Sequence, residues 1–233
     1  MSTEFTPRER RLIARLKTPS QVQAYLNRLP YNYEKGGETL RGFRGVVEHG
    51  QAHCLEAALF AAVVLEQHGY PPLVISFESA DKLDHVIYVY KVNGRWGSIA
   101  RSRDPGLNGR LPVFRSARAL AASYVDPYVD YTGRVLGFAV VHVGEQMGEY
   151  DWRLSSKNVW KVEQMLIDYP HHRLGMSDAR YERLLAKYTA FRGGHGDRKP
   201  VTYYSGREAW APLPNDPTWE RTVSRDRSRG PAS

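Results

Sequence analysis

The chain has one cysteine, Cys54, in 233 residues. A single thiol can form neither an internal disulfide nor a zinc cage made mainly of thiolates. No run approaches the roughly 20 apolar residues that a bilayer-spanning helix needs. The opening stretch, MSTEFTPRERRLIARLK, lacks the apolar centre and small-residue cleavage site of a secretory signal. These absences set the expectation of a cytoplasmic protein with no membrane partner. Also missing are a Walker loop, a GxGxxG fingerprint, a GxSxG elbow and an HExxH pair, so nucleotide and serine-hydrolase readings have nothing to rest on. His171 and His172 are adjacent but have no carboxylate pair nearby to complete a usual ligand geometry. No metal and no cofactor is expected.

What is present is an ordinary globular composition, 42% hydrophobic and 25% charged, at a length suited to one large domain or one domain with an appendage. The net charge of +8 raises nucleic acid as a partner. However, the local excess sits in RERR (8–11) and in the tail RTVSRDRSRGPAS (221–233), and neither is a reading motif. Solvated charge and a disordered tail are the expectation, and nucleic acid is not the expected partner.

Thr6-Pro7 predicts a helix start, with Leu12, Ile13 and Leu16 as its apolar stripe. Thr18-Pro19-Ser20 starts a second helix bearing Val22, Tyr25, Leu26 and Leu29, stopped by Pro30. Residues 31–47 read as a long loop. From His53 to Gln67, fifteen residues without Gly or Pro predict a helix, closed by Gly69. Strands are predicted at LVISFES (73–79), HVIYVYKV (85–92), RWGSIARS (95–102) and VLGFAVVHV (135–143), with a polar turn over Asp81–Asp84. Asn93-Gly94 joins two of the strands as a tight hairpin. Helices are predicted over 116–124, 157–169 and 177–191. Beyond Gly193-Gly194 the composition is irregular, with Trp210 and Trp219 able to dock on the body. The fold class is α+β: a Cys-bearing helix packed on a small antiparallel sheet, with extra helices at both ends. Four regions follow, at 1–44, 45–145, 146–195 and 196–233.

The ordered pieces CLEAALFAAVVLEQHG, DHVIYVY and NGRWGSI resemble the transglutaminase-like superfamily, a branch of the papain-like cysteine enzymes. The resemblance covers about residues 45–105. It implies a papain-like or transglutaminase-like core with Cys54 as nucleophile and His85 as base and acid. The activity it implies is hydrolysis or acyl transfer at an amide or peptide bond, through a thioester. In the family an acidic residue lies four positions after the hairpin tryptophan. Counted from Trp96, that position is Ala100.

The chemistry of such a set is direct. Backbone N–H groups at a helix start and a neighbouring imidazolium both favour the thiolate. An imidazole can take the thiol proton and later return it to a leaving amine. Backbone N–H groups near Cys54, with the side chain of Gln51, could hold an oxyanion. If the hairpin turn has two residues, His85 falls opposite Ser102 on one face of the ladder. Ser102 is then the first candidate to orient the imidazole and Asp104 the second, while Asp84 points to the other face. Trp96 is a candidate substrate contact, with core packing as the competing reading. Glu56 reads as a first-turn carboxylate. His53 could tune the thiolate by charge, with an exposed ring as the preferred reading, and Arg101 could meet a substrate carboxylate, with a structural ion pair preferred. A peptide or protein substrate is the expected partner. The rival expectation is an inactive member of the fold that binds a peptide or protein in the same groove.

Overall fold

The computed structural model describes residues 4–82, 84–195 and 204–214. Helices α1 (Pro7–Arg15) and α2 (Pro19–Arg28) each open with a threonine cap, a first-turn proline and a reciprocal capping box, Thr6 with Glu9 and Thr18 with Gln21. Each box satisfies donors that the helix itself cannot. A third helix, α3 (Phe43–His49), falls in the segment whose composition predicts only loop. Its glycines and charges hide it. Arg44 is buried in an ion pair with Glu9 at 2.9 Å, while Phe43, Val46 and Val47 enter the core. Gly42 precedes it because a Cβ there would come within 2.6 Å of the Trp152 carbonyl oxygen.

Helix α4 (Cys54–Glu66) is buried from Leu55 through Leu65. A helix apolar all round must be enclosed on all sides. It lies against a six-stranded sheet made of β1 (Leu73–Ser79), β2 (His85–Val92), β3 (Arg95–Ile99), β4 (Arg110–Phe114), β5 (Val135–His142) and β6 (His172–Arg173). The strand order is β4-β3-β2-β1-β5-β6, with every pairing antiparallel. Between β2 and β3, Asn93 and Gly94 both adopt positive φ, 49° and 72°, which matches the twist of the flanking strands. Val92 pairs with Arg95, and the ladder runs to Tyr88 opposite Ile99.

There β3 stops, short of the predicted Ser102. The reason is Gln23 of α2. Its Nε2 donates to the Ala100 carbonyl and its Oε1 accepts from the Ala100 N–H, both at 3.0 Å. One side-chain amide thus satisfies both main-chain groups of Ala100, so a strand partner is not needed.

One face of the sheet presents Val74, Val86, Tyr88 and Tyr90 to α4. The other presents Ile75, Phe77, Ile87 and Val89 to Leu120, Ala121 and Tyr124 of α5 (Ala117–Val125). Helices α6 (Val143–Met147), α7 (Trp160–Asp168) and α8 (Asp178–His195) complete the described order. The short elements α6, β4 and β6 lack the length or alternation that would show in the sequence. Trp210 docks on the body, its ring 4.9 Å from the Arg110 guanidinium. Trp219 and the basic tail lie outside the described residues. Among the described residues no helix is long and apolar enough to cross a membrane.

Candidate active site

Cys54 is the first residue of α4, where the leading N–H groups have no partner within the helix. Cys54 is a half-buried residue lining a cleft of about 580 Å³ that also contains His53 and His85. Burial alone would raise the thiol pKa. Hydrogen bonds with His53 and His85, together with their charges, outweigh burial and hold it well below the ordinary cysteine value. The cleft thus brings one histidine from the helix cap and one from the sheet to the same side as Cys54.

The His53 flank is built locally. His53 Nε2 meets the Thr39 carbonyl at 2.9 Å and lies 3.7 Å from Glu56 Oε1. Glu56 is fully buried. It accepts from Asn32 Nδ2 at 3.0 Å, Thr39 Oγ1 at 2.9 Å, the Arg41 N–H at 3.0 Å and the His53 N–H at 3.1 Å. A carboxyl group that accepts four hydrogen bonds and donates none is a carboxylate. The first-turn reading of Glu56 holds only in part, since this side chain ties α4 to the 31–42 segment. His53 is not the exposed neighbour expected, because its side chain is only 12% exposed.

The His85 flank is built from distant pieces. His85 opens β2, is 4% exposed and stands beside Phe77 and Tyr124, each ring centroid 6.2 Å away. Its Nε2 meets the Leu107 carbonyl at 2.9 Å. A carbonyl only accepts, so the proton on Nε2 is fixed. Leu107 ends a short 3₁₀ turn, Pro105–Leu107, and Arg110 clamps the chain on both sides of it. Arg110 donates to the Gly106 carbonyl at 2.6 Å and the Asn108 carbonyl at 2.8 Å, with Tyr124 stacked 4.0 Å from its guanidinium.

This arrangement corrects the expected third member. Ser102 Oγ accepts from the Asp104 N–H at 3.0 Å, and neither residue hydrogen-bonds His85. With β3 ended at Ile99, the ladder that would set Ser102 opposite His85 does not extend that far. Ser102 and Asp104 instead line the cleft. Ala100 is wholly buried in the α5-side cluster. Gln51 and Trp96 are not among the cleft-lining residues. Trp96 packs against the α5-side cluster, under the Lys91 ammonium at 4.4 Å. Arg101 donates to the Ser102 and Leu29 carbonyls, both at 3.1 Å. Among the described residues no group of three or more His, Cys, Asp and Glu is arranged to hold a metal ion.

Sequence reasoning offers His53 as a tuner of the thiolate but prefers an exposed ring, and it misses the Leu107 carbonyl, which has no residue signature at all.

The remainder of the cleft is acidic. Seven carboxylates line it against two cations, Lys82 and Arg103, in a chain whose net charge is +8. Glu34 and Glu38 come from the 31–42 segment, while Glu163 comes from α7 beside the exposed Trp160 and Ile167. Burial, together with Glu38 and Glu34, pushes the Glu163 pKa up against the opposing pull of His53.

No family model and no curated protein matches the chain. Among solved structures it is similar to Legionella pneumophila LapG, at 13% identity and a TM-score of 0.35, over 70% of this chain and 92% of that one. The α+β class itself stands on the chain's own sheet and helices.

Proposed function

We propose that the protein is a cysteine-dependent hydrolase or acyltransferase acting on an amide or peptide bond. The observation that carries this reading is a single thiol at a helix start, in a cleft that it shares with two histidines, His53 and His85. Cys54 is the nucleophile. Its proton passes to an imidazole as the sulfur adds to the acyl carbon, and the unpartnered N–H groups at the start of α4 receive the negative oxygen. Loss of the amine leaves a thioester, which water or a second amine resolves.

The acidic lining favours a cationic polypeptide or amine as substrate, because a cleft of one charge sign concentrates the opposite sign. The burial of Ala100 where the resemblance calls for an acid favours a second reading, a binding module that uses the same groove without chemistry.

Alkylation of Cys54 tests the first reading. Iodoacetamide should modify it near pH 7 about tenfold faster than a free peptide thiol, since a depressed pKa raises the thiolate fraction more than it lowers nucleophilicity. A cationic thiosulfonate reagent should outpace its anionic counterpart, and added salt should narrow the gap. A rate no faster than that of a peptide thiol would refute the enzyme reading.

A further inference from the structure

We infer that the segment 204–213, far along the chain from Cys54, belongs to the candidate site, and that Trp210 is a positioning residue for the His85 imidazole. It acts through Arg110 and the Leu107 carbonyl. What Trp210 contributes to catalysis rests on the cysteine-enzyme reading above, while what it contributes to geometry rests on contacts within the fold.

The connection from β3 to β4, residues 100–109, supplies Ser102, Arg103, Asp104 and Leu107 to the cleft. Its Leu107 carbonyl faces His85 Nε2 at 2.9 Å. A ring oriented by one acceptor is only as still as that acceptor. The connection is fixed from outside at each end. At its start, Gln23 takes both main-chain groups of Ala100 at 3.0 Å. At its end, the Arg110 guanidinium reaches back to the Gly106 carbonyl at 2.6 Å and the Asn108 carbonyl at 2.8 Å. Leu107 lies between those two clamped peptide groups.

Both anchors lead to the 204–213 segment. Arg110 is fully buried, and its partners are carbonyls, the Ser123 hydroxyl and two ring faces rather than a carboxylate. A cation taken out of water needs such compensation, and an aromatic face supplies part of it, tryptophan most strongly. Tyr124 lies 4.0 Å and Trp210 4.9 Å from the guanidinium. Main-chain pairing brings Trp210 there. It forms an antiparallel bridge with Arg110, and the Ala211 N–H donates to the Gly109 carbonyl at 3.0 Å. The 3₁₀ turn Arg207–Ala209 that leads into it starts after Gly206, at a φ of 76°. The other anchor is reached through α2. Asn27 Nδ2 donates to the Pro212 carbonyl at 2.7 Å. Asn27 Oδ1 accepts at 2.8 Å from the same Gln23 Nε2 that holds Ala100. One segment thus touches both anchors of the connection that carries Leu107.

The two contacts differ in kind, and the difference singles out Trp210. Asn27 holds the segment, whereas Trp210 covers the cation. Without the indole, water reaches the guanidinium and competes with the carbonyls for its N–H groups. The Gly106 carbonyl then loses its donor, the Leu107 peptide group beside it gains freedom, and the His85 ring moves with it. His53 supplies the contrast within the same cleft. Its Nε2 meets the Thr39 carbonyl, also at 2.9 Å. Thr39, however, is held by Glu34 and Glu56, through its N–H at 2.7 Å and its hydroxyl at 2.9 Å.

Hydrogen exchange of the two imidazole Nε2–H groups, read by NMR in the full chain labelled with ¹⁵N-histidine, tests the assignment. A main-chain carbonyl only accepts, so each Nε2 carries hydrogen and reports on its own flank. In Trp210→Ala, exchange at His85 should speed up about tenfold or more while exchange at His53 stays within about twofold. Trp210→Phe keeps a ring face and should bring the His85 rate back to within about threefold of wild type. Asn27→Ala, at a partly exposed position, frees the segment at Pro212 and should speed His85 exchange about threefold. This milder variant decides the matter if Trp210→Ala fails to fold. An unchanged His85 rate in the folded variants would overturn the assignment. So would equal acceleration at both rings, which is what a general loss of stability produces. Iodoacetamide judges the underlying enzyme reading separately. Alkylation of Cys54 at pH 7 should slow about threefold in Trp210→Ala from a fast wild-type rate. A wild-type rate equal to a peptide thiol's would remove the enzyme reading, and the exchange rates would still decide whether Trp210 positions the ring.

Discussion

The two flanks of the Cys54 sulfur are made in different ways. On the α4 side, His53, Cys54 and Glu56 lie within four consecutive residues, and a short loop adds Asn32 and Thr39 to hold the carboxylate. On the other side, His85 comes from the sheet, its acceptor from a 3₁₀ turn, its neighbour Tyr124 from α5 and the clamp Arg110 from β4. The first flank uses side-chain charge, whereas the second uses main-chain oxygens held in place by a buried cation. A helix cap can be written in a few adjacent letters. An imidazole oriented by a carbonyl requires the whole sheet to close correctly.

The comparison can be broken most forcefully at Arg110. Arg110→Met removes donors to the Gly106 and Ser123 carbonyls, while the Asn108 carbonyl keeps the Tyr124 hydroxyl. At about 1–3 kcal/mol for each orphaned group, urea unfolding should show a loss of about 3 kcal/mol or more. Alkylation of Cys54 should also lose its dependence on His85. Asn32→Ala strikes the other flank. It removes one donor to Glu56 and one to Thr39, and urea unfolding should show about 2 kcal/mol lost. Tyr124→Phe is the mildest. Its hydroxyl pairs with Ser98 Oγ at 2.6 Å and donates to the Asn108 carbonyl at 3.0 Å, so about 1 kcal/mol should go. The pH profile of alkylation should keep its shape. If Tyr124→Phe altered that profile as strongly as Arg110→Met, the two flanks would not be separable in the way described.

The same contrast explains what could be seen in the sequence. The Cys54 helix, the Asn93-Gly94 hairpin and the early threonine caps are local patterns, and the structure has each within a residue or two of its expected bounds. Cys54 and His85 line one cleft, and it is their order along the chain that suggests them together. The failures are non-local. The end of β3 depends on Gln23, 77 residues before Ala100. Helix α3 depends on the ion pair between Glu9 and Arg44, 35 residues apart. The search for an orienting side chain at Ser102 or Asp104 assumed that a side chain would do the work. The described structure gives the task to the Leu107 peptide group.

That peptide group has a practical corollary for anyone surveying related chains. Comparison by residue identity would find alanine at the expected acidic position and file such proteins as dead enzymes. Alanine scanning across 100–108 would probe the leucine at 107 by its side chain alone and leave its oxygen in place. The handle on this flank is instead the cation that fixes the turn, so an arginine about fourteen residues past the hairpin tryptophan, Arg110 here, is the more informative letter to look for.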